Sequence, residues 1–230
     1  MVTVVIICIV LGILGFLFWA SASIRSGVYL KALCSGCPDR KAVYLTFDDG
    51  PHAGSTERVL DVLHARGAHA TFFMIGVNAE AHGELVRRIV SEGHDIGIHT
   101  YSHASLLPLY SLDRMTKDIM RCKSLLQKLS GREVTLFRPP FGVVNPTVAR
   151  AVKACGLHTV GWNVRSFDTM HTERDDWRER TLSRIMKRVR PGSVILLHDR
   201  LPGAASLLSA ILERLDAAGY RYDIPLADEF

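Results

Sequence analysis

The sequence predicts an α/β fold of successive parallel strand–helix units, and two observations carry that prediction. From Ala42 onward, short apolar runs alternate with amphipathic segments that end at glycine. Polar residues recur just beyond the ends of the apolar runs, where parallel α/β folds collect their functional groups. A third feature stands apart: no Asp, Glu, Lys or Arg occurs before Arg25, so an apolar helix precedes the domain.

The elements follow in order. Ala42–Phe47 (AVYLTF) reads as a buried strand, and Ser55–Arg66 as a helix with Ser55 at its N-cap and Gly67 past its end. Ala70–Ile75 is a second strand, Glu80–Glu92 a helix closed by Gly93, and Asp95–His99 a third strand. Ser111–Leu129 is a long helix closed by Gly131, and Thr135–Arg138 a fourth strand. Asn145-Pro146 joins a capping side chain to a proline at the first helical position, which starts a helix that ends at Gly156. His158–Asn163 is a fifth strand, Trp177–Val189 a helix and Ser193–Leu197 a sixth strand. Ala204–Ala218 is a helix ended by Gly219, and Tyr220–Ile224 a short seventh strand. DDGPH after the first strand lacks the glycine spacing of a dinucleotide-binding loop. A doubly wound sheet and a barrel both satisfy this alternation.

At 230 residues and 48% hydrophobic, the chain holds one domain with a sizeable core and a small appendage. The expected division is a transmembrane anchor or signal segment over 1–22, a juxtamembrane linker over 23–41 and a single domain over 42–230. Val2–Ala20 is long enough to span a bilayer, which needs about 20 apolar residues. Ala20-Ser21-Ala22 resembles a signal-peptidase site, but no basic segment precedes the apolar run, so an uncleaved anchor is the reading adopted. Arg25, Lys31 and Arg40 follow the span and would, by charge alone, hold the domain in the cytoplasm. The net charge of +5 is scattered, with no arginine-rich run, which excludes nucleic acid as the partner and permits attraction to an anionic surface. Cys34-Ser-Gly-Cys37 is a lone CxxC and reads as a turn; Cys122 and Cys155 read as core thiols.

Five segments remote in sequence place reactive side chains just after strand ends: Asp48 and Asp49, His99 and His103, Arg138, Asp168 and His198. In a parallel barrel those ends share one rim. His99 and His103 are four apart, a spacing that puts both on one side of a helical turn, although Thr100 stands where a zincin has its glutamate. Two histidines with a carboxylate from a neighbouring strand end make an open site for a divalent metal. Adjacent aspartates at a strand end point in different directions, so one can bind the metal while the other stays free as a base.

TFDDGP (Thr46–Pro51), HTYSH (His99–His103), RPPFG (Arg138–Gly142) and LLHD (Leu196–Asp199) resemble, in order, the motifs of the polysaccharide deacetylases, the carbohydrate esterase family four or NodB homology domain. The resemblance covers 42 to the C-terminus. It implies a distorted (β/α)7 barrel with one divalent metal, zinc being the usual ion. It implies Asp49, His99 and His103 as ligands, Asp48 as general base, His198 as general acid and Arg138 as the group that holds Asp48. It also implies that the Phe141 N–H stabilises the oxyanion, that Leu196 lines the acetyl pocket and that Pro140 belongs to the substrate-binding turn. The family's fourth motif carries two aspartates three apart and then tryptophan. Here Asp168 matches the second, which is expected to pair with the motif arginine, while Arg165 and Thr169 replace the other two. Trp162 or Trp177 could replace the missing stacking surface, with Trp162 expected in the core.

The implied reaction is hydrolysis of N-acetyl groups on an acetylated amino-sugar glycan, peptidoglycan or a chitin-like oligomer, with release of acetate. The competing reading is an O-acetyl esterase acting on xylan or another acetylated polysaccharide. Such substrates lie outside the cytoplasmic membrane, and that outweighs the three basic residues after the span, so the domain is expected outside. Oligomeric state is left open by the sequence.

Overall fold

Ala42–Asp48 forms β1, and all seven of its residues are buried. A strand covered on both faces has no solvent side to mark with polar residues, which is why it reads as an unbroken apolar run. In a computed structural model that describes residues 1–225, β1 is an inner strand of a parallel sheet. The other strands are β2 (Thr71–Met74), β3 (Asp95–Ile98), β4 (Leu136–Phe137), β5 (His158–Thr159), β6 (Val164–Arg165), β7 (Ser193–His198) and β8 (Arg221–Asp223). The order is β5-β4-β3-β2-β1-β7-β6, with β8 added beside the start of β1.

The helices are α1 (Val2–Ala22), α2 (Ser55–Ala65), α3 (Gly76–Ala81), α4 (Gly83–Ser91), α5 (Leu112–Ser130), α6 (Pro146–Ala154), α7 (Trp177–Met186) and α8 (Ala204–Ala217). The apolar stripes of the later helices pack on the outside of the curled sheet, as Val59, Leu63, Ile119 and Leu212 show by complete burial. The cap expected at Asn145 formed, its Oδ1 accepting the Val148 N–H at 2.9 Å, and Ser111 Oγ caps α5 by accepting the Arg114 N–H. Ser55 does not cap α2: Gly54 holds the cap position, and Ser55 Oγ turns back to the His52 carbonyl.

Two elements differ from expectation. The helix expected over Glu80–Glu92 is two helices, broken at His82, whose φ of −130° and ψ of 49° are not helical. Of the strand expected over His158–Asn163 only β5, His158–Thr159, forms, and β6 begins just beyond it at the opposite edge of the sheet. β5 pairs with β4 and β6 with β7, so the stretch between them crosses from one edge to the other and closes the barrel without a ladder. The reason is that the Val160 and Gly161 carbonyls are taken by the Arg138 guanidinium, at 3.0 and 2.7 Å. A Cβ at Gly161 would lie 2.5 Å from Cys34 Sγ, so only glycine fits the seam.

Residues 23–41 run against this seam. The Leu33 N–H donates to the Thr159 carbonyl, the Gly161 N–H donates back to Leu33, and the Gly36 N–H donates to Gly192. Cys34 and Cys37 are free thiols.

Candidate active site

The sheet order brings the strand ends to one rim, and register fixes their height. Asp48 and His198 are direct partners across β1 and β7. Paired residues of parallel strands project on the same side, so these two groups flank one cleft. The chain turns immediately after Asp48, because Asp49 has φ 74°. That left-handed step separates the two carboxylates, and Gly50 follows because a Cβ there would lie 2.2 Å from Asp199 Oδ2.

Asp48 is buried and accepts a hydrogen bond from Arg138 Nη1 at 2.8 Å. Arg138 is itself fully buried, with every polar atom of its fork engaged: Nη1 also donates to Thr46 Oγ1, and Nε and Nη2 reach the seam carbonyls. Phe73 stacks under the guanidinium at 4.1 Å. Burial pushes the guanidinium pKa down and the Asp48 charge pushes it back up. One buried cation thus holds one buried carboxylate.

Asp49, His99 and His103 converge on a common point. Asp49 Oδ1 is 3.6 Å from His99 Nε2 and 3.4 Å from His103 Nε2, and the three ligand atoms lie within 4.8 Å of one another. Ligands about 2.0–2.2 Å from a shared ion sit about 3.0–3.5 Å apart, so the residues fit a divalent metal with little movement. His99 Nδ1–H donates to the Arg138 carbonyl at 2.8 Å, which fixes the tautomer and leaves Nε2 with its lone pair toward the site. Burial holds the His99 pKa below its usual value, against the pull of Asp48 and Asp49, so the ring stays neutral as a ligand must. Burial alone would raise the Asp49 carboxyl; His99, His198, His103 and the Arg200 hydrogen bond together outweigh it and hold the pKa low. The two histidines do not share a helical turn. HTYSH is a loop whose Thr100 and His103 have φ of 65° and 45°, and the His103 N–H is tied to Thr100 Oγ1. Strained backbone, rather than helical periodicity, brings the rings to 5.1 Å.

His198 is held by Asp168. Its Nδ1 is 2.8 Å from Asp168 Oδ1, and its backbone N–H donates to Oδ2 at 2.8 Å. This corrects the expectation that Asp168 pairs with Arg138; the arginine is saturated by the seam and Asp48. Burial would lower the His198 pKa, but the Asp168 hydrogen bond and charge, with Asp48 and Asp49, raise it above its ordinary value. Ser166 Oγ also donates to Asp168 Oδ1, and Trp177 Nε1 donates to the Asp168 carbonyl at 2.7 Å. Trp177 therefore braces this loop from behind.

Around these groups is a cleft of about 320 Å³. Leu196, Phe141 and Trp162 line it, and Arg165, Phe167, Thr169 and Met170 form one exposed wall. Trp162 is half-buried: it packs on the core cluster that contains Phe73 and Val160 and also lines the cleft. Pro140 is buried and does not line the cleft. The Phe141 backbone has φ 60°, and among the described residues its N–H has no hydrogen-bond acceptor. His52 and His171 lie outside the cleft. His94 is buried behind the third strand, where burial pushes its pKa down to about 4.

Sequence reasoning missed Arg200 and Asp199. Arg200 Nε donates to Asp49 Oδ2 at 2.9 Å, and no pattern marked it beyond its place after LLHD. Asp199 accepts from Thr56 Oγ1 at 2.7 Å, and Thr56 Oγ1 in turn accepts the His52 N–H, which pins the turn after Asp49.

The sequence profile of the polysaccharide deacetylase family matches residues 35–160. A peptidoglycan-N-acetylglucosamine deacetylase of Bacillus cereus is 35% identical over 195 residues, covering 80% of this chain and 86% of that protein. The peptidoglycan-N-acetylmuramic acid deacetylase PdaC of Bacillus subtilis is 32% identical over 188 residues, but this chain spans only 38% of its length. The crystal structure of the Bc1960 peptidoglycan N-acetylglucosamine deacetylase superposes with a TM-score of 0.78 at 30% identity, covering 93% of this chain and 95% of that one. The barrel is therefore a shared fold, and this chain belongs to the polysaccharide deacetylase family.

Proposed function

We propose that this chain removes N-acetyl groups from an acetylated amino-sugar glycan of the peptidoglycan or chitin type, releasing acetate and a free amine. The observation that carries the reading is the pairing of Asp48 with His198 across β1 and β7, beside the Asp49–His99–His103 ligand set. A base and an acid flanking a metal site are what amide hydrolysis requires.

Asp49, His99 and His103 would hold the ion, and two imidazoles with one carboxylate suit zinc. When bound, it supplies a Lewis acid that polarises the acetyl carbonyl and eases the ionisation of water. Asp48, held in place by the Arg138 hydrogen bond, takes a proton from the attacking water as its oxygen bonds to the acetyl carbon. The Phe141 N–H donates to the oxygen on which charge develops. His198, oriented through Nδ1 by Asp168, has Nε2 free to protonate the departing nitrogen as the C–N bond breaks. Leu196 shapes the space for the acetyl methyl.

The catalytic domain is placed outside the cytoplasm, with α1 as its membrane anchor, because the glycans of this class are envelope or extracellular. α1 is apolar along its whole length and none of its most apolar window is buried in the protein.

Acetate release from N-acetylglucosamine oligomers and from peptidoglycan, with zinc and with a chelator, tests the reading. Chelator-sensitive release is expected. A His198→Ala variant that kept most activity on acetyl esters, with no release from either amide, would replace it with the O-acetyl esterase.

A further inference from the structure

The apolar helix and the rim of the cleft meet. Ala20, in the last turn of α1, is fully buried, and the Ser21 carbonyl accepts the Val144 N–H at 2.9 Å. Ser26 Oγ folds back to the Ala20 carbonyl, and Ile24 is buried against the barrel seam at Gly161. No free linker therefore separates the helix from the domain. Val144 lies three residues after Phe141, which lines the cleft and has its side chain 51% exposed. Asn145 Nδ2 donates to the Pro108 carbonyl at 2.7 Å, which sets the Leu106–Leu109 turn beside the same junction. In that turn only Leu107 packs inward, while Leu106 and Leu109 are 66% and 79% exposed.

Length decides what these leucines face. The exposed part of α1, Val2–Trp19, is about 27 Å long at 1.5 Å per residue, against a hydrocarbon core of about 30 Å. A helix with no length to spare, docked without a spacer, draws its attachment point into the headgroup layer. Trp19 stands at the exit, where aromatic side chains favour the interface, and exposed Arg25 and Lys31 follow it. We propose that the rim beside α1, formed by Leu106, Leu109 and Phe141, rests on the bilayer that α1 crosses, so that the cleft serves glycan lying at the membrane surface. The proposal depends on α1 being a retained span.

The full chain, reconstituted in phosphatidylethanolamine–phosphatidylglycerol vesicles doped with a diazirine-bearing phosphatidylcholine, tests both steps. Photo-adducts mapped by mass spectrometry are expected on Val2–Trp19 and also on the peptides that carry Leu106, Leu109 and Phe141. Adducts confined to Val2–Trp19 would overturn the docking and leave the span intact. None on Val2–Trp19, or removal of that segment in cells, would overturn the span and the docking with it. A Gly/Ser insert of about 12 residues between Trp19 and Ala20 keeps the docked junction and adds about 17–21 Å of reach. With the insert, hydrolysis of a soluble chitooligosaccharide should be unchanged. Hydrolysis of the same oligomer conjugated to vesicle phosphatidylethanolamine should slow about tenfold or more. Equal rates on the vesicle substrate with and without the insert would reject the proposal. If the parent chain hydrolyses neither substrate, the deacetylase reading fails, while the lipid adducts still judge the docking.

Discussion

The buried floor of the cleft and its exposed wall are built on opposite principles. On the floor, Arg138 is fully buried, Asp48 and His99 nearly so, and each is fixed by hydrogen bonds of 2.8 Å. On the wall, Arg165, Phe167, Thr169 and Met170 are exposed, and Arg165 is held by little more than stacking, 4.8 Å from the centre of the Phe167 ring. A buried charge tolerates no substitution that strands its partner, whereas an exposed side chain can change at little cost in stability. The departures from the family motif, Arg165 and Thr169, fall on the wall. The comparison teaches that this fold protects its chemistry by burial and leaves recognition free to vary.

The sharpest way to break the contrast is at the floor. His99→Ala should abolish both bound metal and turnover, read by metal analysis of the purified chain; a variant that retained a full equivalent of ion would remove His99 from the ligand set. Asp48→Asn should lower kcat by about 10²–10⁴-fold with metal content unchanged, since it removes only the proton acceptor. Arg138→Met should strand Asp48 as a buried charge and cost about 3–5 kcal/mol in denaturant unfolding, far beyond any wall substitution.

Asp168→Asn tests a smaller effect, on pH. His198 acts in its protonated form, and the raised pKa keeps it protonated above its ordinary range, so activity falls as pH rises through that value. Without the Asp168 charge the pKa drops, and the alkaline limb of kcat/KM should move to lower pH. An unmoved limb would assign it to another group. Arg165→Ala is expected to have the smallest effect, a change in KM of about two- to five-fold with kcat and stability unchanged, in line with the loss of an exposed cation–aromatic contact. A large kcat effect would place Arg165 with the chemistry and erase the distinction between floor and wall.

The legibility of the sequence follows the same division. Asp48, Asp49, His99, His103, Arg138 and His198 were readable because each follows an apolar strand, and a parallel sheet leaves such ends nowhere to go but one rim. The partner of Asp168 was not readable, because the geometry of the Ser166–Asp168 turn, braced by Trp177 from a helix, decides which way its carboxylate points. Arg200 carried no signal at all, since a single arginine in a loop is ordinarily a solvated charge.

By itself the sequence determined the alternation of strands and helices, the apolar helix before them and the identity of the reactive groups. Hydrophobic period and residue chemistry are local properties and survive without a fold. Only the tertiary structure decided that residues 158–165 split into two edge strands around Arg138, and that left-handed turns at Asp49, Thr100 and His103 aim the ligands at one point. It also decided that α1 docks at Val144 without a linker. The split at the seam and the docking of α1 depend on partners 23 residues (Arg138 to Gly161) and 123 residues (Ser21 to Val144) away in the chain, and no local pattern encodes such a partner.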